Sequence, residues 1–192
     1  MKNLKIFCAA FLLGGCMPMP AVVLTNSTAT AQEYIGLHEW RNRNQIKDLT
    51  GVDPVRTEWC AAFVNAMLEL DNIPGSESVS DVPLMARSFL KWGEAVEPAD
   101  IQRGDIVIFP RGNTGWQGHV GFYVATQMHN SKEYWIVLGG NQNNEVRHDF
   151  YSPNRALGIR RYSINTTSPK RTLWGFNPVD LERQGENKWE DH

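Results

Sequence analysis

The chain has 192 residues, with 19 lysines and arginines against 21 aspartates and glutamates, a formal net charge of -2. This slightly acidic balance, without a Lys/Arg stripe, argues against nucleic acid as a partner, and "RNRNQ" and "KRTLWGFNP" are too short to be more than solvated faces. Three cysteines, at positions 8, 16 and 60, leave little room for a disulfide framework, and no internal repeat is present.

The N-terminus, "MKNLKIFCAAFLLGGC", reads as an export signal. Lys2 and Lys5 suit the charged leader, and the apolar run over residues 6–13 is too short to span a bilayer. Leu13-Gly14-Gly15-Cys16 resembles a bacterial lipobox, which makes residues 1–15 a lipoprotein-type signal and Cys16 a lipidated N-terminus. A plain signal peptide cut near Ala21 or Ala31 is the alternative. Acyl chains on Cys16 would tether the protein to a membrane, and residues 16–30 read as a flexible tether. Without residues 1–15 the chain keeps 17 basic and 21 acidic residues, and a lipidated Cys16 leaves Cys60 with no intrachain partner. About 160 residues follow the tether, enough for one hydrophobic core rather than two.

Residues 31–39 carry mixed helical spacing and predict a helix, followed by a polar turn and a second short helical piece. Gly51 and Pro54 punctuate a connector. From Trp59, the residues Cys60, Phe63, Val64, Met67 and Leu68 recur at three and four, a helical stripe with Thr57 or Glu58 near its start. A further helix is expected between Pro83 and Gly93. The character then changes to strands over 105–109, 119–126, 133–141 and 155–162. The separators, including "NQNNEVRHDFYSPN", read as turns too short for crossover helices. The expected fold class is α+β, with N-terminal helices packed on an antiparallel sheet.

Cys60 at a helix start sits where the helix dipole favours a thiolate. By composition alone it reads equally as a small buried apolar residue beside Ala61, Ala62 and Phe63. Of five histidines, His119 opens a strand between glycines and is the candidate base. Its second ring nitrogen needs a partner to set its tautomer. If the strands over 119–126 and 133–141 are neighbours, Asn141 lies close, with Gln142 and Asp149 in reserve. The histidines show no metal-ligand spacing, and "GNTGWQG" lacks the phosphate-cradle pattern.

Five blocks, "WCAAFVNAML", "GDIVIFPRG", "GHVGFYVA", "VLGGNQNN" and "ALGIRRY", resemble the NlpC/P60 and CHAP superfamily of papain-like cysteine peptidases and amidases, in particular a small bacterial and phage-associated group that acts on cell-wall peptidoglycan. The resemblance covers about residues 31–162 and implies a catalytic domain over 31–165, with a C-terminal extension over 166–192. It implies Cys60 as nucleophile, His119 as general base and Asn141 as third polar residue, with Gln142 as the other candidate and no cofactor. Gly104-Asp105 would form a structural turn into a strand. The oxyanion tyrosine or glutamine of some relatives has no match, Tyr34 being too far upstream. Trp59, Trp116 and Phe122 are candidates to shape a groove. The implied partner is peptidoglycan or its stem peptides, met by an exported, envelope-anchored monomer. The alternatives are a wall- or peptide-binding domain without turnover and a lipid-anchored structural protein.

Overall fold

The computed structural model describes residues 27–163. Cys16, the signal over 1–15 and the extension over 166–192 lie outside the described residues. Three helices come first: α1 Ser27–Gln32, α2 Arg43–Thr50 and α3 Cys60–Leu70. A six-stranded antiparallel sheet follows, built from β1 Glu94–Ala95, β2 Ile106–Pro110, β3 Gly118–His129, β4 Lys132–Gln142, β5 Glu145–Tyr151 and β6 Gly158–Arg161, in the order β1-β6-β2-β3-β4-β5. The fold is α+β with the helices ahead of the sheet, as expected.

The first helix departs from the expected 31–39. Its described residues include Ser27 to Thr30, in the segment read as tether, and the Ser27 and Thr30 hydroxyls donate to the Asp71 carboxylate beyond the end of α3. It stops at Gln32 because the chain beyond is drawn to the sheet. The Gly36 N–H donates to the Val146 carbonyl, the Glu39 N–H to the Asn144 carbonyl, and His38 bridges Glu145. Backbone groups spent on that edge are lost to a helix ladder. The second piece forms as α2 and ends at Gly51, whose φ of 72° supplies a left-handed cap.

Helix α3 matches its apolar stripe, yet neither Thr57 nor Glu58 caps it; Trp59 holds the cap position without a side-chain bond. Between Pro83 and Gly93 the expected α-helix is a 3-10 turn, Ala86–Lys91. There the Ser88 hydroxyl donates to the Met85 carbonyl and competes with a regular ladder.

Two strands were not expected. β1 is a two-residue edge piece, and β5 lies in the stretch read as a turn. β4 and β5 form a hairpin through Asn143 and Asn144, both with positive φ, as a two-residue I′ connection requires. The Asn-Asn pair was the overlooked signal.

Side chains alternate across the sheet. Ile106, Ile108, Val120, Phe122 and Leu138 join the α3 residues in one apolar cluster. Val107, Phe109, Tyr123, Trp135, Val137 and Ile159 form a second. Gly140 is where β4 meets the start of α3: a Cβ there would stand 2.5 Å from the Trp59 ring and 2.7 Å from Phe63 Cβ. Gly140→Ala is therefore expected to destabilise the fold by about 1–3 kcal/mol through overpacking, read from urea unfolding midpoints.

Candidate active site

Cys60 opens α3 at the floor of a cleft of about 310 Å³, lined also by Glu58, Met85, Arg111, Trp116 and Gln117. Only 3% of the residue is exposed, which matches the reading of Cys60 as a small buried residue and works against the thiolate that a helix start favours. Burial pushes the thiol pKa up; the Val120 backbone amide, the Arg111 charge and the Ala61 amide oppose this without overcoming it. At neutral pH the resting group is a thiol. The Val120 contact sets the sulfur against the residue that follows His119.

His119 pairs with Phe109 in the β2–β3 register. Its ring is buried and stacks on Tyr151, with centroids 5.5 Å apart and planes 10° from parallel, while Tyr151 in turn stacks on Phe109. Burial, helped by the Arg111 charge, lowers the imidazole pKa to about 4, so His119 is neutral at pH 7. Burial likewise raises the Tyr151 phenol, which stays protonated and donates to Gln142 Oε1 at 3.0 Å.

The partner of the His119 ring is Gln142, not Asn141. Nε2 lies 3.1 Å from Gln142 Oε1. The Gln142 amide nitrogen faces carbonyls only, donating to Val137 at 3.1 Å and also to Arg147. Its orientation is thereby assigned from the network: Oε1 can only accept, so Nε2 of His119 carries the proton and Nδ1 is left as the basic nitrogen. Asn141 instead donates to Glu58 at 2.7 Å. The register shifts between Gly139 and Gln142, and Asn141 has φ of 58°. The hairpin places both residues near His119, and at this bulge it is Gln142, the reserve candidate, whose side chain meets the ring. Asp149 makes no bond to His119 among the described residues; its Oδ1 accepts the Phe150 N–H.

The cleft rim carries an ion pair the sequence reading missed. Arg111, on the loop after β2, pairs through Nη1 with Glu58 Oε2. The loop is clasped by Thr114, whose hydroxyl donates to Gln117 Oε1 at 2.9 Å, and anchored by Arg87 Nε, which donates to the Gln117 carbonyl at 2.8 Å. Of the aromatic residues expected at a groove, only Trp116 is there, 61% exposed. Trp59 and Phe122 are core, because Trp59 packs edge-on against Phe63 and Phe122 faces α3. Tyr34 also packs edge-on against Phe63. Gly104-Asp105 is structural, as expected, and Asp105 is buried against Arg161.

Among the described residues, no group of three His, Cys, Asp or Glu is placed to hold a metal ion, and no helix is long and apolar enough to cross a membrane. No protein-family model and no curated protein matches the sequence. The chain is similar in structure to an NlpC/P60 family protein from Bacillus cereus. The two share 17% identity with a TM-score of 0.47, over 77% of this chain and 42% of the other. The chain thus spans less than half the length of that protein.

Proposed function

We propose that this chain hydrolyses amide bonds of peptidoglycan, as a stem-peptide endopeptidase or an amidase, with Cys60 as nucleophile, His119 as general base and Gln142 as the group that fixes the base. The observation that best supports this reading is the oriented Gln142 amide, whose oxygen accepts the His119 Nε2–H and so leaves Nδ1 to receive a proton. Nδ1 takes the Cys60 proton as the sulfur attacks the amide carbon, since neither group is charged at rest. The carbonyl oxygen gains charge at the N-terminus of α3, where backbone N–H groups and the helix dipole favour it. His119 returns the proton to the departing amine, and water attacks the thioester with His119 again as base. Lipidation at Cys16, if it occurs, would hold this chemistry in the cell envelope beside its polymer.

A second reading is a peptide-binding envelope protein that keeps the fold without turnover; the near-complete burial of Cys60 favours it. Incubation of the purified protein with peptidoglycan sacculi separates the two. New amino termini in the soluble fraction, lost after thiol alkylation, are the expected result, and their identity distinguishes peptidase from amidase. Sedimentation with sacculi without any release would leave only the binding reading.

The role of Gln142 has its own check. Gln142→Leu is expected to lower kcat about 10- to 100-fold with KM little changed, because the His119 tautomer is no longer held. Asn141→Ala, which does not touch the ring, is expected to keep kcat within a few-fold. The reverse order would return the third position to Asn141.

A further inference from the structure

Tyr151 closes β5, two strands away from His119, and the proposed reaction gives it no part. Its side chain nonetheless meets the base twice. The ring stacks on the imidazole, with centroids 5.5 Å apart and planes 10° from parallel. The hydroxyl donates to Gln142 Oε1 at 3.0 Å, and the same oxygen lies 3.1 Å from His119 Nε2. A carboxamide oxygen has two lone pairs, so the imidazole and the phenol together occupy it fully.

The phenol is itself backed by the core. Its ring also stacks on Phe109, at 4.4 Å and 19°, and Phe109 is the buried β2 residue registered opposite His119. Gly139, on the strand between, brings no side chain into this assembly; a Cβ there would touch both His119 Nε2 and Gln142 Cδ at 3.4 Å. An imidazole stacked in this way cannot turn about its Cβ–Cγ bond without losing the stack. Gln142 carries no charge to meet the imidazolium that forms when His119 takes a proton. The charges acting on the ring are Arg111, which opposes protonation, and Asp149, which favours it. A tyrosine face within about 6 Å of a cation also attracts it.

We propose that Tyr151 is a positioning residue for His119, its ring fixing the plane of the imidazole and its hydroxyl locking the Gln142 amide that sets the tautomer. This rests on the reading of His119 as general base and adds a residue that acts through it. Loss of the hydroxyl leaves Gln142 Oε1 one partner short, while carbonyls still hold the amide nitrogen. Loss of the ring frees the imidazole as well.

The test compares Tyr151→Phe, which keeps the stack, with Tyr151→Leu, which loses stack and hydroxyl together. On a synthetic stem-peptide fragment, Tyr151→Phe is expected to lower kcat about 3- to 10-fold, the worth of one hydrogen bond. Tyr151→Leu should lower it about 10- to 100-fold, with KM little changed in both. In the Gln142→Leu background, Tyr151→Phe should cost under about twofold, because the hydroxyl acts only through that amide. Nitrogen-15 NMR of the imidazole at pH 7 reads the same order without turnover. Wild type should show a single Nε2–H tautomer, Tyr151→Phe should keep most of it, and Tyr151→Leu should show a mixture. Tautomer mixing in Tyr151→Leu with no hydrolysis by wild type would sink the hydrolase reading and uphold the role of Tyr151. A Tyr151→Leu protein that is folded by circular dichroism yet keeps a single tautomer would overturn the proposal. So would a Tyr151→Phe variant that equals wild type in kcat, or one that costs as much without Gln142 as with it. Because phenylalanine preserves the packing, Tyr151→Phe decides the matter even if the leucine variant does not fold.

Discussion

Replacing Cys60 by serine is expected to lower release of soluble muropeptides by about 10³-fold or more, with far-ultraviolet circular dichroism and the unfolding midpoint little changed. The site gives a neutral imidazole too little driving force to draw a proton from an alcohol, and the serine oxygen fits the volume the sulfur fills. Release by Cys60→Ser equal to wild type would remove the cysteine from the mechanism. The pH profile follows from the same burial. With the His119 pKa lowered to about 4, the acid limb of kcat/KM should lie near pH 4 instead of near 6.5, since falling pH must protonate the ring before it stops accepting the thiol proton. The thiol is raised by burial, so its alkylation rate in the free protein should keep climbing as pH rises past the range of an ordinary cysteine.

Stability carries the same signature. His119 unfolded takes a proton near pH 6.5, but folded only near 4. Between those values the unfolded chain binds more protons, so stability falls as pH drops through that window. A His119→Gln variant should lose the part of this slope between pH 6.5 and 5.

The largest loss of stability is expected at Arg161. Its Nε donates to Asp105 Oδ1 at 2.6 Å and its Nη2 to Oδ2 at 2.7 Å, a two-pronged pair that ties β6 to the entry of β2. Asp105 is 1% exposed and also accepts the Gln102 N–H at 2.8 Å. Arg161→Met strands a carboxylate inside the protein and should cost about 3–5 kcal/mol. The double variant with Asp105→Asn should lose clearly less, because no charge is then left buried. Urea unfolding of both decides it; equal losses would mean that the stranded charge is not the cause.

Much of this was legible in the chain. The three- and four-residue spacing after Trp59 gave helix α3, short Val- and Ile-rich runs gave β2, β3, β4 and β6, and the lack of crossover lengths gave an antiparallel sheet. Cys60 and His119 stood out because each supplied chemistry the other needs. The misreadings share one cause, which is competition from groups distant in sequence. Helix α1 ends early because the β5 edge takes the next backbone groups. β5 hid behind polar residues because its turn, Asn143-Asn144, tolerates positive φ through side chains that also mark loops.

By itself the sequence determined the α+β class and singled out Cys60 and His119 as candidates, because local periodicity and turn chemistry act over a few residues. Three things only the tertiary structure decided. One residue of bulge in β4 gave the histidine to Gln142 and sent Asn141 to Glu58. Packing of α3 against the sheet buried Cys60 and made its resting state a neutral thiol. Closure of the loop after β2 brought Arg111 to a carboxylate 53 residues away in the chain. Register, burial and charge pairing depend on which surfaces meet, and no local pattern encodes that meeting.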